Sequence, residues 1–217
     1  MSDDAELRAA WSDAVGASPE AWELFDDVVG RHRAPNRRYH GVRHVTWTVR
    51  HVRELSAIVP VTDEAAVIVA AFFHDAVYDV TSDDNEARSA ALAERVLGEL
   101  GWSNDRCSRV ARLIMATAGH EPTNAANEAD QAEEAVMVDA DLAVLGSEPA
   151  AYQAYVTGVR AEYGQLDDEQ WRTGRRAVLR RFLDRESLYS TEPGRSRWER
   201  RARANMAAEL ASLDTPG

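Results

Sequence analysis

Apolar side chains recur along this chain at the three-to-four-residue spacing of helices, and no stretch alternates in the manner of a strand. Ser18 and Pro19 offer an N-cap followed by proline at the first helical position, and Trp22, Phe25, Val28 and Val29 then share a face. A loop over residues 31–41, marked by Pro35, Asn36 and Gly41, leads to a second helix. Its stripe is Val45, Thr48, Val49, Val52 and Leu55, and Pro60 ends it. Thr62 or Asp63 caps the next helix, which carries the apolar run 65–73 and is expected to continue to Asp79. Further helices are expected over 84–100, stopped by a left-handed Gly101, and from Ser103 to Gly119 with Val110, Leu113, Ile114 and Thr117 inward. A composition rich in Pro, Thr, Asn and Ala between Glu121 and Asn127 suggests a mobile loop. Helices then follow over 133–145, over 149–164, and from the capping-box pair Asp167 and Gln170 onward. A last one covers 195–213. The expected fold is all-α, an irregular helical bundle.

Length and composition narrow the setting. A chain of 217 residues suits one domain with a core of its own. The single Cys107 rules out an intramolecular disulfide framework. No apolar stretch resembles a signal peptide or membrane span, so a cytoplasmic protein with no membrane partner is expected. A net charge of −12 speaks against binding a nucleic-acid duplex, whose phosphates such a field repels. It leaves room for a small phosphorylated ligand, because a bound cation and a few local arginines can invert the potential inside one pocket.

The chemistry gathers at His74 and Asp75, which close the apolar run and so join two metal-ligand side chains to a buried helix. With six His and eighteen Asp in 217 residues, that dipeptide arises by chance in about every second chain of this composition, so it carries weight only in company. His44 lies upstream, and Asp139 and Asp141 downstream. Imidazole nitrogen and carboxylate oxygen suit the divalent ions of hydrolases. Asp139 and Asp141 diverge by roughly 200° on a helix and cannot both face one ion. Asp79, if helical, stands one turn beyond Asp75 on the same face, as a base for an attacking water. Glu86 is the second candidate for that role, although an acid in a helix's first turn has a structural reason to be there. Arg37, Arg38 and Arg43 flank His44 and can clamp phosphate. His32 carries no specific signal, and His51 reads as a packing histidine.

The ordered segments Tyr39-His40-Gly41 with His44, then Phe73-His74-Asp75, then Asp139-Ala140-Asp141-Leu142 resemble the HD-domain superfamily of metal-dependent phosphohydrolases, in a branch of uncharacterised bacterial members. The resemblance covers about residues 37–210. It implies an HD-type helical domain over 1–217, with a metal-binding core at about 37–146 and C-terminal helices over 148–213 packed on it. It implies that His44, His74, Asp75 and Asp141 hold one divalent metal ion, whether Mn, Mg, Co, Ni, Zn or Fe. Phosphoester or phosphoanhydride hydrolysis of a small phosphorylated molecule, a nucleotide first among them, is the implied activity. Asp79, Glu86 and His120 then become catalytic candidates, and Arg37, Arg38 and His40 substrate-binding ones. The alternative is a non-catalytic HD-type module that senses a nucleotide or a partner; it is disfavoured because all four ligands are kept. A carboxylate-bridged di-iron bundle would need Glu-x-x-His pairs. Gly41, Ala71 and Thr117 occupy the positions three before His44, His74 and His120.

Overall fold

The computed structural model describes residues 2–122 and 127–214, and every regular element among them is helical. Positions 123–126, within the loop expected between Glu121 and Asn127, lie outside the described residues. Most helices begin where a short polar side chain accepts a backbone amide hydrogen, as the sequence suggests for several of them. Ser2 caps α1 (Asp3–Ala14), a helix for which the sequence offered no reading, and Ser18 with Pro19 opens α2 (Pro19–His32). Gly41 precedes α3 (Val42–Ser56). Asp63, rather than Thr62, caps α4 (Glu64–Phe73). Then come α5 (Asn85–Glu99), α6 (Asn104–Gly119) capped by Ser103, and α7 (Glu128–Leu142) capped by Asn127. Gly101 takes up a φ of 83°, the left-handed conformation expected after α5.

A 3-10 turn, Ala143–Gly146, leads to α8 (Pro149–Glu162) and to α9 (Asp168–Leu183), whose capping box of Asp167 and Gln170 is formed. The chain closes with the single turn α10 (Glu192–Gly194), a π-helical turn at Arg195–Glu199, and α11 (Arg200–Asp214). No helix among the described residues is long and apolar enough to cross a membrane.

Helix α4 is the spine of the core. From Ala66 to Phe73 every side chain is buried, so this helix is apolar all round and the others wrap it. Trp11 of α1 packs edge-on against Phe25 of α2 and Phe72 of α4, and its indole N–H donates to the Ala21 carbonyl at 2.9 Å. Two of the bundle's other helices, α3 and α7, pack on α4 and on each other.

One expectation fails in a way that matters. The helix carrying His74 stops at Phe73 and does not reach Asp79. The backbone turns there instead, with the Ala76 amide donating to the Phe73 carbonyl and the Val77 amide to Ser89 Oγ of α5. His74 and Asp75 therefore sit on a turn at the end of a buried helix.

The C-terminal third is stitched to the 139–147 segment. Asn205 of α11 donates its amide hydrogens to the carbonyls of Leu145 and Ser147, each at 2.9 Å. Asp139 is buried and accepts from the amides of Ser190 and Thr191 and from the Thr191 hydroxyl. Burial lifts its carboxyl to about 6 despite those bonds. A Cβ on Gly146 would collide with Trp198, so only glycine lets the π-helical turn lie this close.

Candidate metal centre

Three separate stretches bring four donors together. α3 delivers His44, the turn after α4 delivers His74 and Asp75, and the last turn of α7 delivers Asp141. His44 Nε2 lies 3.0 Å from His74 Nε2, 3.1 Å from Asp141 Oδ1 and 3.4 Å from Asp75 Oδ2. His74 Nε2 lies 3.2 Å from Asp75 Oδ2 and 3.5 Å from Asp141 Oδ1. Ligand atoms held about 2.1 Å from one ion in tetrahedral or octahedral geometry stand roughly 3.0–3.4 Å apart, so this spacing suits a single cation. His44, His74 and Asp75 form a mutually close group able to hold a metal ion, with both imidazoles buried. The Asp141 oxygen adds a fourth donor within 3.5 Å of both rings.

The supports around the donors favour the same reading. His74 Nδ1 lies 3.0 Å from the Ala71 carbonyl. A carbonyl only accepts, so Nδ1 carries the hydrogen and Nε2 presents a bare lone pair to the centre. Desolvation works against a charged ring at both histidines, yet the carboxylates of Asp75 and Asp141 outweigh it and raise both above the ordinary histidine value. Burial likewise opposes ionisation of Asp75 and Asp141, but the neighbouring imidazoles, His74 foremost, hold both carboxyls well below their usual range. The site thus calls for positive charge. Two Nε2 atoms 3.0 Å apart leave no space for a hydrogen on each, and a cation between them would accept both lone pairs.

A cavity of about 510 Å³ opens beside the centre, lined by His74, Asp75 and Asp141 together with His40, Glu86 and His120. Tyr39, Tyr78, Tyr155, Tyr163 and Trp171 add aromatic walls. His120 ends α6 in a left-handed conformation at φ 49°, and its Nε2 stands 3.4 Å from Asp141 Oδ2 while its buried Nδ1 has no hydrogen-bond partner.

Several expected roles shift. Asp79 is exposed and does not line the cavity. With α4 ended at Phe73, the one-turn offset from Asp75 no longer exists, and Asp79 Oδ1 instead accepts from the Thr81 amide and hydroxyl. Of the two proposed bases, only Glu86 borders the cavity. Arg37 is committed elsewhere: its guanidinium donates to the carbonyls of His40, Asp75 and Ala76 and to His32 Nδ1, which makes it a clamp on the turn that carries His74 and Asp75. His32, expected in a loop, is the buried last residue of α2; its Nε2 donates to the Phe72 carbonyl, and burial lowers its pKa to about 3. Arg38 is exposed at a separate, smaller cavity.

The residue that sequence reasoning missed is Glu162, at the end of α8. Its Oε1 accepts the amides of Arg38, Tyr39 and His40, while Oε2 accepts from His40 Nδ1 at 2.6 Å and the Tyr78 hydroxyl at 2.9 Å. Although burial opposes its ionisation, these donors, His40 foremost, bring its carboxyl down to about 2. The only signal in the sequence was Gly158, one turn earlier, where a Cβ would stand 3.0 Å from Tyr39 Cβ. No protein-family model, curated protein or solved structure matches this chain.

Proposed function

We propose that this protein is a metal-dependent phosphohydrolase of the HD type, cytoplasmic, acting on a small phosphorylated substrate of the nucleotide class. The observation that carries the reading is the close group of His44, His74 and Asp75, with Asp141 within 3.5 Å of both imidazoles, beside a substrate-sized cavity that His74, Asp75 and Asp141 line. A divalent ion held there supplies Lewis-acid stabilisation of phosphoryl oxygens and a water of lowered pKa, worth several kcal/mol.

The chain's own groups do the remainder. Glu86, at the cavity edge, takes the proton of the attacking water. His120 and His40 face the phosphoryl group's surroundings as hydrogen-bond donors, with His40 oriented by the Glu162 carboxylate through Nδ1. The tyrosines and Trp171 offer flat apolar surface to a base.

Elemental analysis of the purified protein, followed by a phosphatase screen with nucleotides, cyclic nucleotides and guanosine polyphosphates under several added divalent metals, tests the reading. A bound metal and turnover of one class are expected. A metal-loaded protein that hydrolyses none of them would leave the sensing module instead.

A further inference from the structure

We infer that the smaller cavity beside His44 is a second oxyanion site that receives free phosphate next to the metal centre. The choice of phosphate rests on the hydrolase reading; the existence of an anion site does not. This cavity encloses about 210 Å³ and is lined by Arg38, Arg43, His44, Trp47, Asp141 and Tyr155 among others. Asp141 borders both cavities, whereas His44 borders only the smaller and His74 and Asp75 only the larger. The four donors therefore stand between two chambers, with Asp141 common to both.

The charges of the two chambers differ. Asp75, Asp83, Glu86 and Asp141 line the larger one against Arg181 and a buried Arg175 that is occupied by Glu209 at 2.7 Å, so carboxylates outnumber free guanidinium groups there. In the smaller chamber the only carboxylate is Asp141, set against two arginines. All 25 basic residues of the chain are arginine against 37 acids, and many guanidinium groups, such as those of Arg8, Arg50, Arg53 and Arg106, meet a carboxylate; what sets Arg38 and Arg43 apart from other unpaired arginines such as Arg180 and Arg200 is that both line one cavity. Among the described residues no carboxylate lies within ion-pair distance of Arg38 or Arg43, and neither guanidinium makes a hydrogen bond. Arg38 is also held in place, since its amide donates to Glu162 Oε1 at 2.6 Å. Two free guanidinium forks at one opening suit the bidentate geometry of phosphate. Size agrees: about 300–1,000 Å³ is usual for a site holding an organic ligand, so the smaller chamber fits an inorganic anion with its waters and the larger one the whole substrate.

Isothermal titration of inorganic phosphate into the full chain as purified tests this. The comparison is with the double variant Arg38→Gln, Arg43→Gln and with a control, Arg180→Gln, Arg200→Gln, that removes the same charge from exposed positions elsewhere. The native protein and the control should bind phosphate within twofold of each other, and the Arg38, Arg43 variant at least tenfold more weakly. Absence of binding to the native protein at millimolar phosphate, equal weakening in both variants, or binding by the Arg38, Arg43 variant within twofold of native would overturn the inference. The two proposals separate cleanly. Phosphate uptake that depends on Arg38 and Arg43 in a protein turning over no phosphorylated compound keeps the anion site and removes the hydrolase reading; turnover with uptake indifferent to these arginines does the reverse.

Discussion

Replacing Glu162 with Gln should cost the protein about 2–4 kcal/mol and loosen its hold on metal. The carboxylate collects five donors: three backbone amides at 2.6–2.9 Å through Oε1, and His40 Nδ1 and the Tyr78 hydroxyl through Oε2. Glutamine keeps an oxygen for the amides but puts an NH2 where Oε2 stood, and that group cannot accept from His40 or Tyr78. Two hydrogen bonds to a charged group, at about 1.5–3 kcal/mol each and partly recovered by rotation of the hydroxyl and a tautomer change in the ring, give the quoted range. The carboxyl's fall from 4.5 to about 2 gives an independent figure of roughly 3 kcal/mol at 1.36 kcal/mol per pKa unit. Because the folded value lies below the unfolded one, this stability is complete above about pH 4.5 and drains away as pH falls through about 2. Urea unfolding of native protein and E162Q at pH 7, 4 and 3 measures it: the gap should be widest at pH 7 and narrow on acidification. A gap under about 0.5 kcal/mol at pH 7, or one that does not shrink in acid, refutes the reasoning. Residues 38–40 lead directly into α3 and His44, so the same variant should also bind a divalent ion more weakly.

Other outcomes are as specific. His74→Ala should abolish metal binding by elemental analysis and all turnover, since it deletes a donor within 3.5 Å of each of the other three. Asp79→Ala should leave turnover within about threefold of native, for its carboxylate serves Thr81, whereas Glu86→Gln should lower kcat by about a hundredfold or more with metal content unchanged. Phe72→Ala, in the centre of the buried helix, should lower unfolding free energy by about 3–5 kcal/mol in denaturant titration. Gly146→Ala meets backbone as well as side chain of Trp198, so a loss of about 1–3 kcal/mol is expected, read by the same titration.

The helical pattern made most elements legible before any coordinates. Short polar caps and apolar spacing are local signals, and Ser18, Asp167 and Gly101 do in space what they suggest in sequence. The grouping of His44, His74 and Asp75 was legible through their company and not one by one, since each alone reads as well as a packing or surface residue. What failed were inferences that extended a helix or assigned a free side chain. Asp79 looked catalytic only while α4 was thought to continue, and nothing local announces the turn that Arg37 and Ser89 stabilise from 38 and 12 residues away. Arg37 looked like a phosphate ligand because two of its acceptors, the carbonyls of Asp75 and Ala76, lie 38 and 39 residues along the chain, invisible to spacing. Glu162 was unreadable because its partners lie more than 80 residues away in sequence.

The hydrogen bonds of Asn205 set an order for assembly on the ribosome. The turn with His74 and Asp75 is braced by Arg37 and by the Ala71 carbonyl, all within the first 76 residues, so the partners of that part of the centre are synthesised early. The segment that follows Asp141 is tied through Leu145 and Ser147 to a side chain translated some 60 residues later. A chain cut short before α11 would therefore keep the early donors but lack the ties that hold the segment following Asp141.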